Sequence, residues 1–144
     1  MEPAIKMLRT QRVPIFLLVD SIRHSEEELS ISLRVLRDIE LLGRFYVFDN
    51  PIAVNSFLLK HDFLFNAIFE AYKHLNEIFG AGVETHLKIH NDPEEDFEAL
   101  FIIVKSVLPS DQSLNLLDRF DEEWWLDVDD EIRKLIEVDV ENMP

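Results

Sequence analysis

The chain has 144 residues, 30% of them charged and 47% apolar, with a formal charge of −15 and no cysteine. That length is enough for a domain with its own core, and the lack of cysteine excludes disulfides, thiolate metal sites and thiol nucleophiles together. The charge is uneven: residues 1–50 carry 7 Lys/Arg against 8 Asp/Glu, whereas residues 51–144 carry 7 against 21, so the C-terminal part repels nucleic acid and anionic membranes and favours a basic protein partner.

Near the N-terminus Lys6, Arg9 and Arg12 precede the apolar run Val13-Pro-Ile-Phe-Leu-Leu-Val19. The run falls far short of the ~20 residues that span a bilayer and has no small-residue cleavage site, so it reads as a strand covered on both faces rather than a leader. A loop follows at Asp20–His24. Ser25 with Glu28 then forms a capping box, predicting a helix to Leu42 that Gly43 stops. A strand period competes with it, since Leu29, Ile31, Leu33 and Val35 alternate with polar residues. Arg44–Phe48 is a short aromatic strand, and Asp49-Asn-Pro51 is a turn. The charge balance changes at that turn, so the expected organisation is a strand–helix–strand extension over 1–50 and an acidic α+β domain over 51–144.

Beyond the turn, Ala53–Leu59 is a short helical turn and Asp62 caps a helix to Phe79, with Phe65, Ile68, Tyr72, Leu75 and Phe79 as its core stripe. Gly80-Ala-Gly82 ends it. Val83, Thr85, Leu87 and Ile89 alternate with Glu84, His86, Lys88 and His90, a strand with one core face and one wet face. Asn91–Asp96 makes the turn and Phe97–Val107 runs back, giving a hairpin. Ser110 is the expected N-cap of a helix carrying Leu117, Phe120 and Trp124 on one face, with Trp125 about 100° away. An acidic loop, Asp127–Glu131, leads to a last half-exposed strand of Ile136, Val138 and Val140. The order helix–strand–strand–helix–strand over 62–141 predicts an α+β fold, with an antiparallel sheet of at least three strands and helices packed on one face.

Three motifs carry a resemblance: Phe69-Glu-Ala-Tyr72, Asn91-Asp-Pro-Glu94 and, most specifically, Phe120-Asp-Glu-Glu-Trp-Trp-Leu-Asp127. With these, residues 57–140 resemble a family of small acidic bacterial proteins frequent in cyanobacteria. The resemblance implies the same architecture over that part of the chain and brings no activity with it.

The candidate partner-binding set is Trp124 and Trp125 amid Asp121, Glu122, Glu123 and Asp127. An exposed indole with an anionic rim suits an Arg- or Lys-bearing protein through burial, ion pairing and cation–π contact. The alternative is that both indoles close the core. The expected function is a noncatalytic interaction or regulatory module in the cytoplasm, for which a homo-oligomer is compatible.

Two other functions compete with it. An acidic DNA-mimic inhibitor would use the same charge. A divalent-metal hydrolase would use His86 or His90 with carboxylates, but four strand residues separate the two histidines by about 13 Å, and Glu84 and His86 at about 6.6 Å need ligands from elsewhere. The acidic stretches 92–98 and 127–131 do not form an EF-hand, because counting from Asp127 the sixth and twelfth positions are Ile132 and Val138. Carboxylate pairs such as Asp118 with Glu122 and Asp121 with Glu123 read as a solvated helix face. With only Gly43, Gly80 and Gly82, there is no phosphate-cradling loop and no nucleophile elbow, so no cofactor, metal site or catalytic residue is expected.

Overall fold

A computed structural model describes residues 15–143, without the side chains of 15–24, 28, 31 and 32. The described residues divide into two compact units, one ending at Leu36 and the other beginning at Arg37. Helix α1 spans Ile15–Leu42. This corrects three expectations. Residues 15–19 are helical rather than a strand (13 and 14 lie outside the described residues), Asp20–His24 is helix rather than loop, and Ser25 lies inside the helix rather than capping it. The physical reason is that residues 15–42 contain neither Gly nor Pro, so nothing local interrupts a helix once it starts. Leu29, Leu33 and Leu36 are exposed on it.

In the second unit, Ile39 and Leu42 are buried. Gly43 ends α1, and the N–H groups of Phe45 and Tyr46 both return to the Leu42 carbonyl. That turn leaves only Val47–Phe48 as strand β1, shorter than the expected Arg44–Phe48. Tyr46 is drawn inward instead, where its hydroxyl donates to the Ile68 carbonyl at 2.8 Å. Burial pushes the phenol's pKa well above its ordinary range, with nearby Tyr72 adding to the rise, so Tyr46 serves as a fixed neutral donor.

Helix α2, Pro51–Lys60, is longer than the turn expected at 53–59. Asn50 caps it from a left-handed conformation (φ 56°), accepting from the Ala53 N–H at 3.4 Å, and Pro51 supplies the fixed φ of the first helical position. Asn50→Ala is expected to cost about 1–2 kcal/mol, because it loses the cap and forces a Cβ-bearing apolar residue into a left-handed conformation. Asn50→Gly should cost less, and urea midpoints of the two variants check the order.

Asp62 lies in a 3-10 turn, Asp62–Leu64, rather than at a helix cap, and α3 runs Phe65–Phe79. Gly80 at φ 110° and Gly82 at φ 81° turn the chain out of α3 in conformations that L side chains rarely adopt.

The strands are β2 (Glu84–Asp92), β3 (Phe97–Ser106) and β4 (Ile136–Asn142). They form one sheet in the order β1-β2-β3-β4. The α+β class, with helices packed against the sheet, is as expected. The pairing is mixed, however: β2 and β3 form the antiparallel hairpin, whereas β1 runs parallel to β2 and β4 parallel to β3. The connection from β3 to β4 passes through α4 (Ser110–Glu123), a crossover that returns the chain to the same end of the sheet, and this makes the pair parallel. Pro109, not Ser110, is the N-cap position of α4. The expected acidic loop contains a four-residue helix, α5, Asp130–Arg133.

Register sorts the two faces. Leu87, Ile102 and Val138 align across β2, β3 and β4 on the face where Leu87, Leu100, Ile102 and Val104 are fully buried. On the opposite face His86, Ile103 and Asp139 align, and Lys88, His90, Glu137, Asp139 and Glu141 are exposed there.

Candidate functional site

The residues singled out from the sequence sit where α4 ends. The helix stops at Glu123 because Trp124 leaves helical geometry (φ −147°, ψ −51°) while its N–H still bonds the Phe120 carbonyl at 3.1 Å. Trp125–Asp127 then forms a 3-10 turn. The simple helical projection of the two indoles therefore fails. Trp125 is turned inward, 8% exposed, and lies nearly parallel to Phe120 at 6.2 Å and 22°.

Trp124 is half-buried. Its indole stacks on His74 of α3, with ring centroids 4.6 Å apart and planes 19° apart, and it meets Phe120 edge-on at 5.7 Å. The two indoles are 5.8 Å apart. One aromatic cluster thus ties α4 to α3, with Trp125 as a wall of the core and Trp124 at its rim.

Of the carboxylates, Asp121 is drawn in. It and Trp125 line a groove of about 340 Å³ together with Ala99, Arg133, Ile136 and Glu137. Burial raises the Asp121 carboxyl above its ordinary pKa, and Asp118, one turn earlier, adds to the rise. A cation entering the groove would relieve both effects. The cations already there are engaged: Arg133 pairs with Asp130 and donates to the Val128 carbonyl, and Lys134 meets Glu131 at 3.4 Å. Glu122, Glu123 and Asp127 are exposed outside the groove, and Glu123 is paired with Arg119 at 2.8 Å.

The histidines are arranged differently. His86, on the wet face of β2, is held between two carboxylates: Nδ1 lies 2.9 Å from Asp49 and Nε2 lies 2.9 Å from Glu84. Burial alone would lower its pKa, but these hydrogen bonds and charges outweigh burial and raise it. With both ring nitrogens donating, His86 acts as a cationic clasp between β1 and β2, a geometry suited to ion pairing rather than to ligating a metal. His90 is exposed and tilts against Phe101 at 5.5 Å. Among the described residues there is no group of three or more His, Cys, Asp or Glu side chains placed to hold a metal ion.

Sequence reasoning missed Asp49, His74, Arg133 and Glu137. Asp49 and Glu137 reach their places through strand register, which no local pattern announces. His74 carried a signal, because it lies one turn before Ile78 and so close to the core face of α3. Among the described residues no helix is long and apolar enough to cross a membrane. No protein family, curated protein or solved structure matches the chain.

Proposed function

We propose that the protein is a noncatalytic interaction or regulatory module of the cytoplasm, whose acidic, tryptophan-bearing surface engages a basic protein partner. The observation that carries this reading is the groove at Asp121. A carboxylate held above its ordinary pKa sits against the Trp125 wall, the half-buried Trp124 packs 5.8 Å from Trp125, and the neighbouring cations are already paired. Such a site gains from taking in a Lys or Arg, because the cation relieves the desolvated charge and the aliphatic stem covers the apolar wall. Glu122 and Asp127 supply the outer anionic rim, and Glu123 contributes less while Arg119 holds it. The resemblance of residues 57–140 to small acidic bacterial proteins is proposed on the Phe120–Asp127 motif and adds no activity to this reading.

A titration with a Lys-rich peptide at low salt tests it. Trp124 fluorescence should respond saturably, and Asp121→Asn with Glu122→Gln should weaken binding by roughly tenfold while unfolding free energy stays unchanged. An unaltered affinity in that double variant would remove the groove from the interface. The DNA-mimic reading uses the same charge and differs in one outcome: duplex DNA would then compete with the protein for its basic partner.

A further inference from the structure

Among the described residues β4 is the last strand of the sheet and pairs on one side only. The Met143 N–H donates to the Ser106 carbonyl at 2.7 Å, and the Leu135 carbonyl accepts from Leu100 at 2.8 Å. Odd-numbered residues along β4 therefore turn their backbone groups toward β3, and Val138, Val140 and Asn142 turn theirs outward. The Val140 N–H is occupied only by the neighbouring Asp139 carboxylate, at 2.8 Å. A seven-residue edge of this kind is a template for another strand.

Side chains on the two faces of the edge specify which strand fits. On the wet face Glu137, Asp139 and Glu141 form a row, and only Glu141 has a cationic partner among the described residues, Lys105 at 3.2 Å. A second copy of this chain pairing edge to edge would set that row against itself, and like charges across a ladder are destabilising. A row of Lys or Arg reverses the sign. On the other face, α4 and β4 wall a groove at each end of the strand. One is the groove at Asp121, and the other, about 370 Å³, is lined by Ser113, Leu114 and Val140. Leu114 is 54% exposed there. The Leu114 groove suits an apolar side chain, and the Asp121 groove a basic one.

Resting on the basic-partner reading above, we infer that the partner contributes an extended segment, with Lys or Arg alternating with apolar residues, that adds to the free edge of β4 as a fifth strand. Backbone hydrogen bonds to Val138, Val140 and Asn142 hold it. The acidic row and the Asp121 groove take its basic side chains, and the Leu114 groove takes an apolar one.

The test uses a synthetic peptide of about eight residues with alternating Lys and Val, titrated into the isotope-labelled full chain at low salt. The expected result is slowed amide exchange at Val138, Val140 and Asn142. Val138→Pro should weaken binding by roughly tenfold or more, because it deletes an outward N–H and leaves the β3–β4 ladder whole. A peptide N-methylated along one edge makes the same cut from the ligand side, and it decides the matter if the proline variant does not fold. A Glu–Val peptide should not bind. Full binding by the N-methylated peptide, or by the folded Val138→Pro variant, would overturn strand addition. If Trp124 fluorescence still responded, the acidic-surface reading would stand without it. If the Lys–Val peptide did not bind at all, both would fall.

Discussion

Replacing Phe120 with Ala is expected to destabilise the protein by about 3–5 kcal/mol, the usual cost of emptying a fully buried aromatic site. Phe120 is 0% exposed, and both tryptophans lean on it, one edge-on and one stacked. Its loss therefore opens a cavity and leaves the two indoles without their common support. Since a domain of this size has about 5–15 kcal/mol in total, the variant should unfold at a much lower urea concentration, and part of the population should be open at body temperature. Trp125→Ala is expected to fall in the same range. Trp124→Ala should cost about 1–2 kcal/mol, because that indole is already partly open to water. Urea unfolding followed by far-UV circular dichroism avoids using the altered tryptophans as the probe. Equal costs for Trp124→Ala and Trp125→Ala would contradict the inward turn of Trp125.

That inward turn shows where reading the sequence stops being sufficient. The stripe of α3, the β2–β3 hairpin and the amphipathic body of α4 were legible because each rests on periodicity within one segment. The end of α4 was not, because a helix continues or breaks according to what burial rewards, and burial of Trp125 is gained only after the break at Trp124. The β1–β2 contact was equally hidden, since Val47 pairs with His86 across the two helices that separate β1 from β2. The parallel pairing of β4 was half legible: a strand, a helix and a strand in succession is a crossover signal, and the alternation at Ile136–Val140 says nothing about direction. Ser25 with Glu28 was locally a good helix start that the tertiary helix simply runs through. At the candidate site, the sequence placed Asp121 and Trp125 in one candidate partner-binding set. Setting Glu137 and Arg133 beside them took the β3–β4 register and the short helix α5.

The clasp at His86 should make stability depend on pH in a particular direction. The folded-state pKa is raised above the ordinary value of 6.5 because Asp49 and Glu84 bond both ring nitrogens and outweigh the opposing effect of burial. A group raised on folding stabilises fully below its unfolded pKa and loses that contribution as pH climbs through the folded value. The clasp therefore holds at mildly acid pH and weakens as pH rises above 6.5. Lys105 faces Glu84 across the ladder, but Glu141 holds its ammonium at 3.2 Å, so Glu84 remains available to the imidazolium.

Two charge-assisted hydrogen bonds, discounted because the carboxylates are partly exposed, give an expected loss of about 2–3 kcal/mol for His86→Gln near pH 6. The difference between wild type and variant should shrink steadily above that, as measured by urea unfolding across pH. Loss of the clasp should also loosen β1 locally, because the Asp49 N–H bonds the Leu87 carbonyl at 2.9 Å beside it and Asn50 caps α2 immediately after. Amide exchange at Asp49 should therefore be faster in the variant at pH 6, and the gap should narrow as pH rises, once chemical exchange rates are corrected for. A wild-type advantage that stayed constant across this range would mean that His86 stabilises by packing and neutral hydrogen bonds, with no part played by its charge.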